Sequence, residues 1–167
     1  MAIFKSDGFV ADPWRNLAPA DELPAEGNVI LTLQHWEAIR NQVQCGRPLG
    51  LLVEPGQDLR TIAPEISSFA LIAVAFPKFT DGRGYSLARK LRSTYGFKGE
   101  LRAAGEILFD QLQFLARCGF DSFDIRDAAT IRLLEEGKRP RFSLFYQPGL
   151  DLEIPERTRP WARRAAV

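Results

Sequence analysis

Hydrophobic runs of strand length alternate with helical patterns from residue 28 onward. The run Phe69–Phe76 is continuously apolar, which is typical of a central parallel strand covered on both faces. Shorter strand candidates lie at 29–31, 49–54, 100–104, 122–126 and 142–146. Apolar residues recur at helical spacing in 33–43, 85–95, 107–118 and 128–136. This pattern predicts an α/β fold with a mostly parallel sheet of about five to six strands and flanking helices, with a partial barrel as the alternative.

Three segments follow from this pattern. Residues 1–27 contain three prolines, which predicts an irregular N-terminal arm, and Asp7-Gly8 favours a short hairpin within it. Residues 28–147 are predicted to form a single α/β domain. Residues 148–167 are rich in proline and arginine, which predicts a flexible basic C-terminal tail, with Trp161 as a residue that could dock.

Composition narrows the function classes. The chain has 167 residues, of which 46% are hydrophobic and 26% charged, as in a globular protein. A net charge of +1 argues against nucleic-acid binding, and no apolar run reaches the roughly 20 residues that span a membrane. Two separated cysteines fit a cytoplasmic protein. We expect no cofactor and no metal, because a single histidine and the lack of a Gly-x-Gly-x-x-Gly motif leave neither a ligand set nor a dinucleotide fingerprint.

The loop after Phe76 is the first candidate site. A glycine-rich polar loop between a buried strand and a helix is a common place for ligands in α/β proteins. Cations dominate this segment, and a helix start adds unpaired N–H groups, so the pattern predicts a site for a small oxyanion. The candidate residues are Lys78, Thr80, Asp81, Gly82, Arg83, Gly84, Tyr85, Arg89 and Arg92. The alternative is a solvated basic helix face beside a tight turn.

A second group is predicted to support the first. Arg102 lies in mid-strand and needs a partner, for which Glu106 or Asp110 is the obvious candidate. Gln111 falls on the apolar face of its helix, so its amide must bond to a backbone group, to Arg102 or to a ligand. Other polar residues end strands: Glu54, Arg126 and Asp127 are expected at the same rim as Lys78 and Glu106.

Two blocks of the chain resemble a bacterial family called domain of unknown function 934. The first is Phe76-Pro77-Lys78-Phe79-Thr80-Asp81-Gly82-Arg83-Gly84-Tyr85 through Arg92, and the second runs from Gly99 through Gly105-Glu106 and Asp110-Gln111-Leu112 to Asp121. The resemblance covers about residues 28–147 and implies an association with sulfite reductase, under the label of probable oxidoreductase in sulfite reduction. Glu106 departs from the aspartate expected at its position.

Three functional hypotheses remain open. The first is an accessory protein of sulfite reduction and sulfur assimilation that binds a small oxyanion at the strand-end rim. The second is an adaptor that docks on sulfite reductase, or on another sulfur-assimilation protein, without a ligand site of its own. The third is an enzyme that uses Lys78, Arg83 and Asp81 on a small anionic substrate, with the catalytic role of each left open. A two-fold homodimer is expected only because such dimers are the commonest assembly.

Overall fold

The computed structural model describes residues 2–6, 8–19, 21–41 and 47–141, together with the strand backbones at 144–145, 153–155 and 163–165. The main strands are Ala2–Lys5 (β1), Gly8–Val10 (β2), Trp14–Asn16 (β3), Asn28–Thr32 (β4), Leu49–Val53 (β5), Leu71–Phe76 (β6), Glu100–Gly105 (β7) and Ser122–Ile125 (β8). The α-helices are Leu33–Ile39 (α1), Arg83–Ser93 (α2), Leu112–Arg117 (α3) and Ala128–Glu135 (α4). Two 3₁₀ segments lie at Arg60–Ser68 and Phe109–Gln111.

The eight strands form one sheet in the order β2-β1-β8-β7-β6-β5-β4-β3. Strands β3 to β8 run parallel to their neighbours, whereas β1 is antiparallel to β8 and β2 is antiparallel to β1. The predicted α/β class is therefore confirmed, and β6 is the central strand expected at Phe69–Phe76. The sheet is wider than predicted because the N-terminal arm, expected to be irregular, adds strands at both of its edges.

The sheet is curled into a half-barrel. Strands β2 and β3 are its two edges, yet only Ala11, Asp12 and Pro13 connect them. In a flat sheet these edges would lie about 34 Å apart, at roughly 4.8 Å between neighbouring strands. The connection spans at most about 14 Å, so the edges must approach each other. The partial barrel, kept as an alternative from the sequence, describes this curled sheet.

The two faces of the sheet differ in polarity. Helices cover the outer face, where side chains such as Leu51, Ile72, Leu101 and Phe123 form the main core. The inner face carries a smaller apolar cluster of Ile30, Leu71 and Ala73, with Trp14 and Leu52 packed against it, on strands β3 to β6. The register places Arg102, Ser122 and Asp124 on the same inner face of β7 and β8. The half-barrel interior is thus apolar on one side and charged on the other.

Local signals in the sequence explain where several elements begin. Thr32 caps α1 by accepting a hydrogen bond from the backbone N–H of His35 at 3.1 Å, and Asp127 caps α4 by accepting one from Thr130 at 2.7 Å. Threonine and aspartate directly before a helical pattern predict such caps, and both caps are present. The hairpin expected at Asp7-Gly8 is also present, since β1 and β2 pair antiparallel on either side of it.

Two element predictions need correction. The helix expected over 107–118 is shorter, because Leu108 is extended and a 3₁₀ turn precedes α3. The strand expected at 142–146 appears as Leu144–Phe145 (β9), which pairs with Arg163–Ala165 (β11) in an antiparallel sheet with Glu153–Pro155 (β10) rather than with the main sheet. Most of the tail predicted to be flexible, including Trp161, lies outside the described residues, as does Cys45.

Candidate active site at the mouth of the half-barrel

The carboxyl ends of three parallel strands form one rim. Lys78, Glu106 and Asp127 follow β6, β7 and β8, which are neighbours in the sheet, and Phe76 lies beside Gly105 in the strand register. The expectation that these residues lie at the same end of the sheet, where the strands finish, is confirmed. Carboxyl ends of parallel strands are where barrels and open α/β sheets usually carry their ligands.

Within the first predicted site, Asp81 and Arg83 neutralise each other. The Arg83 guanidinium donates to both carboxylate oxygens of Asp81, from Nε at 2.9 Å and from Nη2 at 2.7 Å. The backbone N–H of Arg83 donates to the same carboxylate at 3.1 Å. These bonds lower the pKa of Asp81 to about 2. The pair stabilises the start of α2, and it leaves little uncompensated positive charge for an anion.

Arg92 lies at the other end of α2 and serves the fold. Its guanidinium donates to the carbonyl oxygens of Gly119, Phe97 and Gly99 at 3.0, 2.8 and 2.9 Å, and to the carboxylate of Asp121 at 2.5 Å. These residues precede the amino ends of β7 and β8. Arg92 is therefore at the opposite end of the sheet from Lys78, and the structure does not bring all the predicted cations together.

Packing against aromatic side chains explains Gly84 and Tyr85 in the same segment. A Cβ added at Gly84 would lie 2.6 Å from Cζ of Phe76. The Tyr85 ring packs against Phe76 and Phe114, with centroid distances of 5.4 and 4.8 Å. Burial raises the pKa of the Tyr85 hydroxyl. Gly84 is required by the aromatic cluster, whereas nothing lies within 4 Å of a Cβ at Gly82.

The remaining cations of this segment differ in their surroundings. Burial raises the pKa of the Cys118 thiol, and the nearby positive charge of Arg89 opposes that effect. Lys78 and Thr80 are exposed in the loop. Among the described residues, the Lys78 ammonium makes no ion pair. Anion binding by this segment stays a prediction, with Lys78 as its uncompensated charge.

Glu106 and Gln111, from the group predicted to support the site, bind the backbone of the loop after β6. The Glu106 carboxylate accepts a hydrogen bond from the backbone N–H of Phe79 at 3.2 Å, and Nε2 of Gln111 donates to the Phe79 carbonyl at 2.8 Å. Oε1 of Gln111 accepts from the backbone N–H of Leu108 at 3.1 Å. Gln111 is thus satisfied by backbone groups, one of the outcomes considered from the sequence, while Asp110 is exposed. Side chains after β7 fix the position of the loop after β6.

Arg102 has partners that the sequence did not predict. Its side chain is only 4% exposed, and Nη1 donates to both carboxylate oxygens of Asp12 at 3.0 and 2.9 Å. Nη2 donates to Glu100 at 3.0 Å. The prediction of Glu106 or Asp110 is wrong, because Arg102 faces the barrel interior at mid-strand while Glu106 follows the strand and bonds to the loop. Glu100 also accepts from Lys5 and from Ser122, each at 2.7 Å.

An inner cavity of about 190 Å³ lies on this concave face. The cavity forms where the strands carry small residues, namely Ala73, Ala75, Ala104 and Gly105. Four charged residues line it as well, namely Asp12, Arg102, Asp124 and Arg126. The combination of small strand residues and buried charges gives a compartment in which a polar molecule can be bound.

An outer cavity of about 560 Å³ opens at the rim, where Glu106 and Asp127 contribute to its walls. Phe76, Pro77, Gly105 and Arg126 line both cavities, so the two adjoin. Arg126 stands at the boundary with its side chain 60% exposed. The expectation that Arg126 and Asp127 share the rim with Glu106 is confirmed, whereas Glu54 is not among the residues that line these cavities.

Asp124 is the residue that sequence reasoning missed. Its Oδ2 accepts a hydrogen bond from Nη2 of Arg126 at 3.0 Å, and its side chain is 8% exposed. Its buried Oδ1 has no hydrogen-bond partner among the described residues. The signal was present, because Ser122, Asp124 and Arg126 alternate with apolar residues and must share one face of a strand. Among the described residues, no three metal-ligating side chains cluster.

Comparison with protein families identifies one match. Residues 50–156 match the family described as a bacterial protein of unknown function, DUF934. The chain belongs to this family. The matched part of this DUF934 protein runs from β5 to the C-terminal strands and therefore includes the loop after β6, Arg102, Asp124 and Arg126, but not Asp12. No curated protein and no solved structure matches the chain. No helix within the described part of the chain could cross a membrane.

Proposed function

We propose that this DUF934 protein binds a small oxyanion at the mouth of the half-barrel. The observation that supports this proposal is the position of Arg126, which lines both cavities at the carboxyl ends of β6 to β8. Its guanidinium has five N–H donors, and among the described residues its one hydrogen-bond partner is Asp124. The other donors are available to a ligand at the rim. A planar guanidinium suits two-pronged recognition of a carboxylate, sulfite, sulfate or phosphate.

The two acids at the rim carry negative charge that opposes an anion, but each carboxylate is turned toward a backbone N–H. Glu106 accepts from the backbone of Phe79, and Asp127 accepts from the backbone of Thr130. Lys78, which follows β6 at the same rim, adds a second positive charge beside the mouth. Arg83 contributes less to this proposal than the sequence indicated, because its Nε, Nη2 and backbone N–H groups all donate to Asp81, whereas Arg126 donates one hydrogen bond to Asp124.

The proposed setting is sulfite reduction, in a cytoplasmic accessory protein. This part of the proposal comes from the family resemblance, and it makes sulfite and sulfate the first ligands to test. An enzymatic role on a small anionic substrate would use the same mouth. The described residues offer no nucleophile with a base beside it, so binding is the activity that the site supports best.

Calorimetric titration with sulfite, sulfate and phosphate at low ionic strength tests the proposal. Arg126→Ala should weaken binding by about tenfold or more, because it removes a charge-assisted hydrogen bond. Arg132→Ala is the matched control, since Arg132 is an exposed arginine on the adjacent helix α4. Equal, small losses in both variants would indicate diffuse attraction to the surface. A parent protein that binds none of the three anions would contradict the proposal.

The adaptor hypothesis has one observation in its favour. Phe79 and Phe114 are each 49% exposed, and Gln111 of the intervening 3₁₀ turn hydrogen-bonds to Phe79. Exposed aromatic side chains are common anchors at protein interfaces. An adaptor is also expected to expose apolar side chains such as Trp14 and Trp161. Trp14 is instead half-buried against the inner apolar cluster, and Trp161 lies outside the described residues. If the protein docks on sulfite reductase through this surface, Phe79→Ser and Phe114→Ser should each weaken co-sedimentation, whereas Arg126→Ala should not.

A further inference from the structure

We infer that the oxyanion bound by Arg126 is one end of a small molecule whose other end donates an N–H or O–H to Asp124. This inference rests on the proposed function and extends it from the rim into the inner cavity. The ligand class is a small zwitterion or hydroxy acid. The juxtaposition that carries it is a buried, unpartnered carboxylate oxygen beside a partly exposed guanidinium, in a cavity of about 190 Å³.

The first step concerns Asp124. Its side chain is more than nine-tenths buried, and Oδ1 has no donor among the described residues. A buried acceptor without a donor is costly, and such groups in native proteins are usually satisfied by a partner, a water molecule or a ligand. Asp124 lines the inner cavity, so a ligand there can supply the missing donor.

The second step concerns the other charges of the inner cavity, which already have partners. Each nitrogen of the Arg102 guanidinium donates to Asp12 or Glu100. Both carboxylate oxygens of Asp12 accept from Arg102, and Oδ1 also accepts from the backbone N–H of Trp14 at 3.1 Å. Among the charged side chains of the described residues that line this cavity, Oδ1 of Asp124 is the acceptor left to recognise a ligand, and the Asn16 amide lines the cavity as well. A simple oxyanion has no hydrogen to donate to this negatively charged oxygen, so electrostatic repulsion would exclude it from the inner cavity.

The third step concerns the size and shape of the ligand. Liquid water occupies about 30 Å³ per molecule, so the inner cavity has room for a molecule of a few heavy atoms. Nη2 of Arg126 lies 3.0 Å from Oδ2 of Asp124. A ligand that binds both side chains therefore carries its oxyanion and its N–H or O–H donor a short distance apart. Leu52, Ala73 and Ala75 provide an apolar wall for the short carbon linker between them.

The experiment compares three carboxylates that differ at one position: propionate, 3-hydroxypropionate and β-alanine. The full chain is titrated calorimetrically with each. We expect β-alanine or 3-hydroxypropionate, whichever donor the site prefers, to bind about tenfold or more tightly than propionate, because each adds a donor for Asp124. Equal binding of all three would overturn the inference while leaving the oxyanion site standing. This comparison needs no variant, so it does not depend on the folding of one.

Two substitutions test which residue causes the preference for a ligand that carries an N–H or O–H donor. Asp124→Asn keeps an oxygen for Arg126 and replaces the unpartnered acceptor by an NH₂ donor, so it should remove the preference and leave propionate binding at least as tight as in the parent. Arg126→Ala should weaken all three ligands by a similar factor. If the preference persists in Asp124→Asn, the inference is wrong. If Arg126→Ala changes the binding of none of the three, the inference is wrong, because Arg126 then does not hold their carboxylate. A parent protein that binds none of the three but binds sulfite, sulfate or phosphate would overturn the inference and leave the proposed function standing, whereas a parent that binds none of the six would overturn both.

Discussion

Asp12 and Arg102, which are 90 positions apart in the chain, form the ion pair that joins the N-terminal arm to the interior of the half-barrel. Asp12 belongs to the short connection between the two edge strands, and Arg102 lies in the middle of β7. Their side chains are 16% and 4% exposed, so water does little to screen the pair. The contact fixes the connection beside the inner cavity, which both residues line.

Asp12→Ala should destabilise the protein by about 3 kcal/mol, because it leaves a buried guanidinium with Glu100 as its remaining partner. Urea unfolding followed by circular dichroism measures the change. Asp58→Ala is the control, since Asp58 pairs with Arg60 on the surface, where the side chains are 51% and 82% exposed. It should leave the free energy of unfolding nearly unchanged. Similar urea midpoints for Asp12→Ala and the parent would contradict this account of the arm.

Glu100 should contribute to the acid sensitivity of the fold. Burial alone would raise the pKa of Glu100, but hydrogen bonds from Lys5, Ser122 and Arg102 outweigh it and hold the pKa below its usual value. A carboxylate with a lowered pKa in the folded state stabilises the fold above its unfolded pKa of about 4.3 and loses that effect as pH falls through the folded value.

The expected result is a difference between Glu100→Gln and the parent that depends on pH. The variant should be less stable at pH 7, and the gap should narrow as pH is lowered from about 5 toward 3. Urea unfolding at a series of pH values measures this gap. Glu135→Gln, at an exposed position on α4, should give a curve parallel to that of the parent. A gap for Glu100→Gln that stays constant down to pH 3 would refute the assignment.

The sequence predicts the strands β4, β5 and β6 well, because they are almost continuously apolar, which is typical of parallel strands in the core of a sheet. It predicts the closure of the barrel poorly. The pairing of β1 with β8 and of Asp12 with Arg102 depends on contacts across most of the chain, and no local pattern encodes them. The three prolines of the arm predict irregular structure, but they do not prevent the short edge strands β1, β2 and β3.

The sequence predicts that residues after β6 and β7 lie at one end of the sheet, but it selects candidate ligand-binding residues by charge. Charge alone does not distinguish a cation that binds a ligand from one that bonds to backbone carbonyls, as Arg92 does at the far end of α2. Asp124 was missed because a single acid in a short strand resembles a solvated residue. Its burial depends on the curl of the sheet, which three-dimensional structure reveals and alternation alone does not.

The loop after β6 should lose order when its two side-chain bonds are removed. Glu106→Ala removes the acceptor for the Phe79 N–H, and Gln111→Leu removes the donor to the Phe79 carbonyl. Each bond contributes about 1 kcal/mol, so amide hydrogen exchange around Phe79 should accelerate by roughly fivefold. Asp110→Ala, an exposed neighbour in the same turn, is the control. Unchanged exchange in both variants would mean that the loop is held by its own turn geometry.

Gly82→Ala and Gly84→Ala should change stability in opposite directions, which separates packing from ligand approach as the reason for these glycines. A Cβ at Gly84 would meet the buried Phe76 ring, which packs between Tyr85 and Phe120 at centroid distances of 5.4 and 5.8 Å. Gly84→Ala should therefore destabilise the protein by about 1–3 kcal/mol.

Gly82 has φ −73° and ψ −9°, a conformation open to alanine, with nothing within 4 Å of a Cβ. Gly82→Ala should stabilise by about 0.4–1 kcal/mol through the unfolded state. Urea unfolding measures both changes, and sulfite titration of the Gly82→Ala protein should match the parent, because Gly82 lines neither cavity. A loss of sulfite affinity in Gly82→Ala would instead move the anion site to the loop between Lys78 and Arg83.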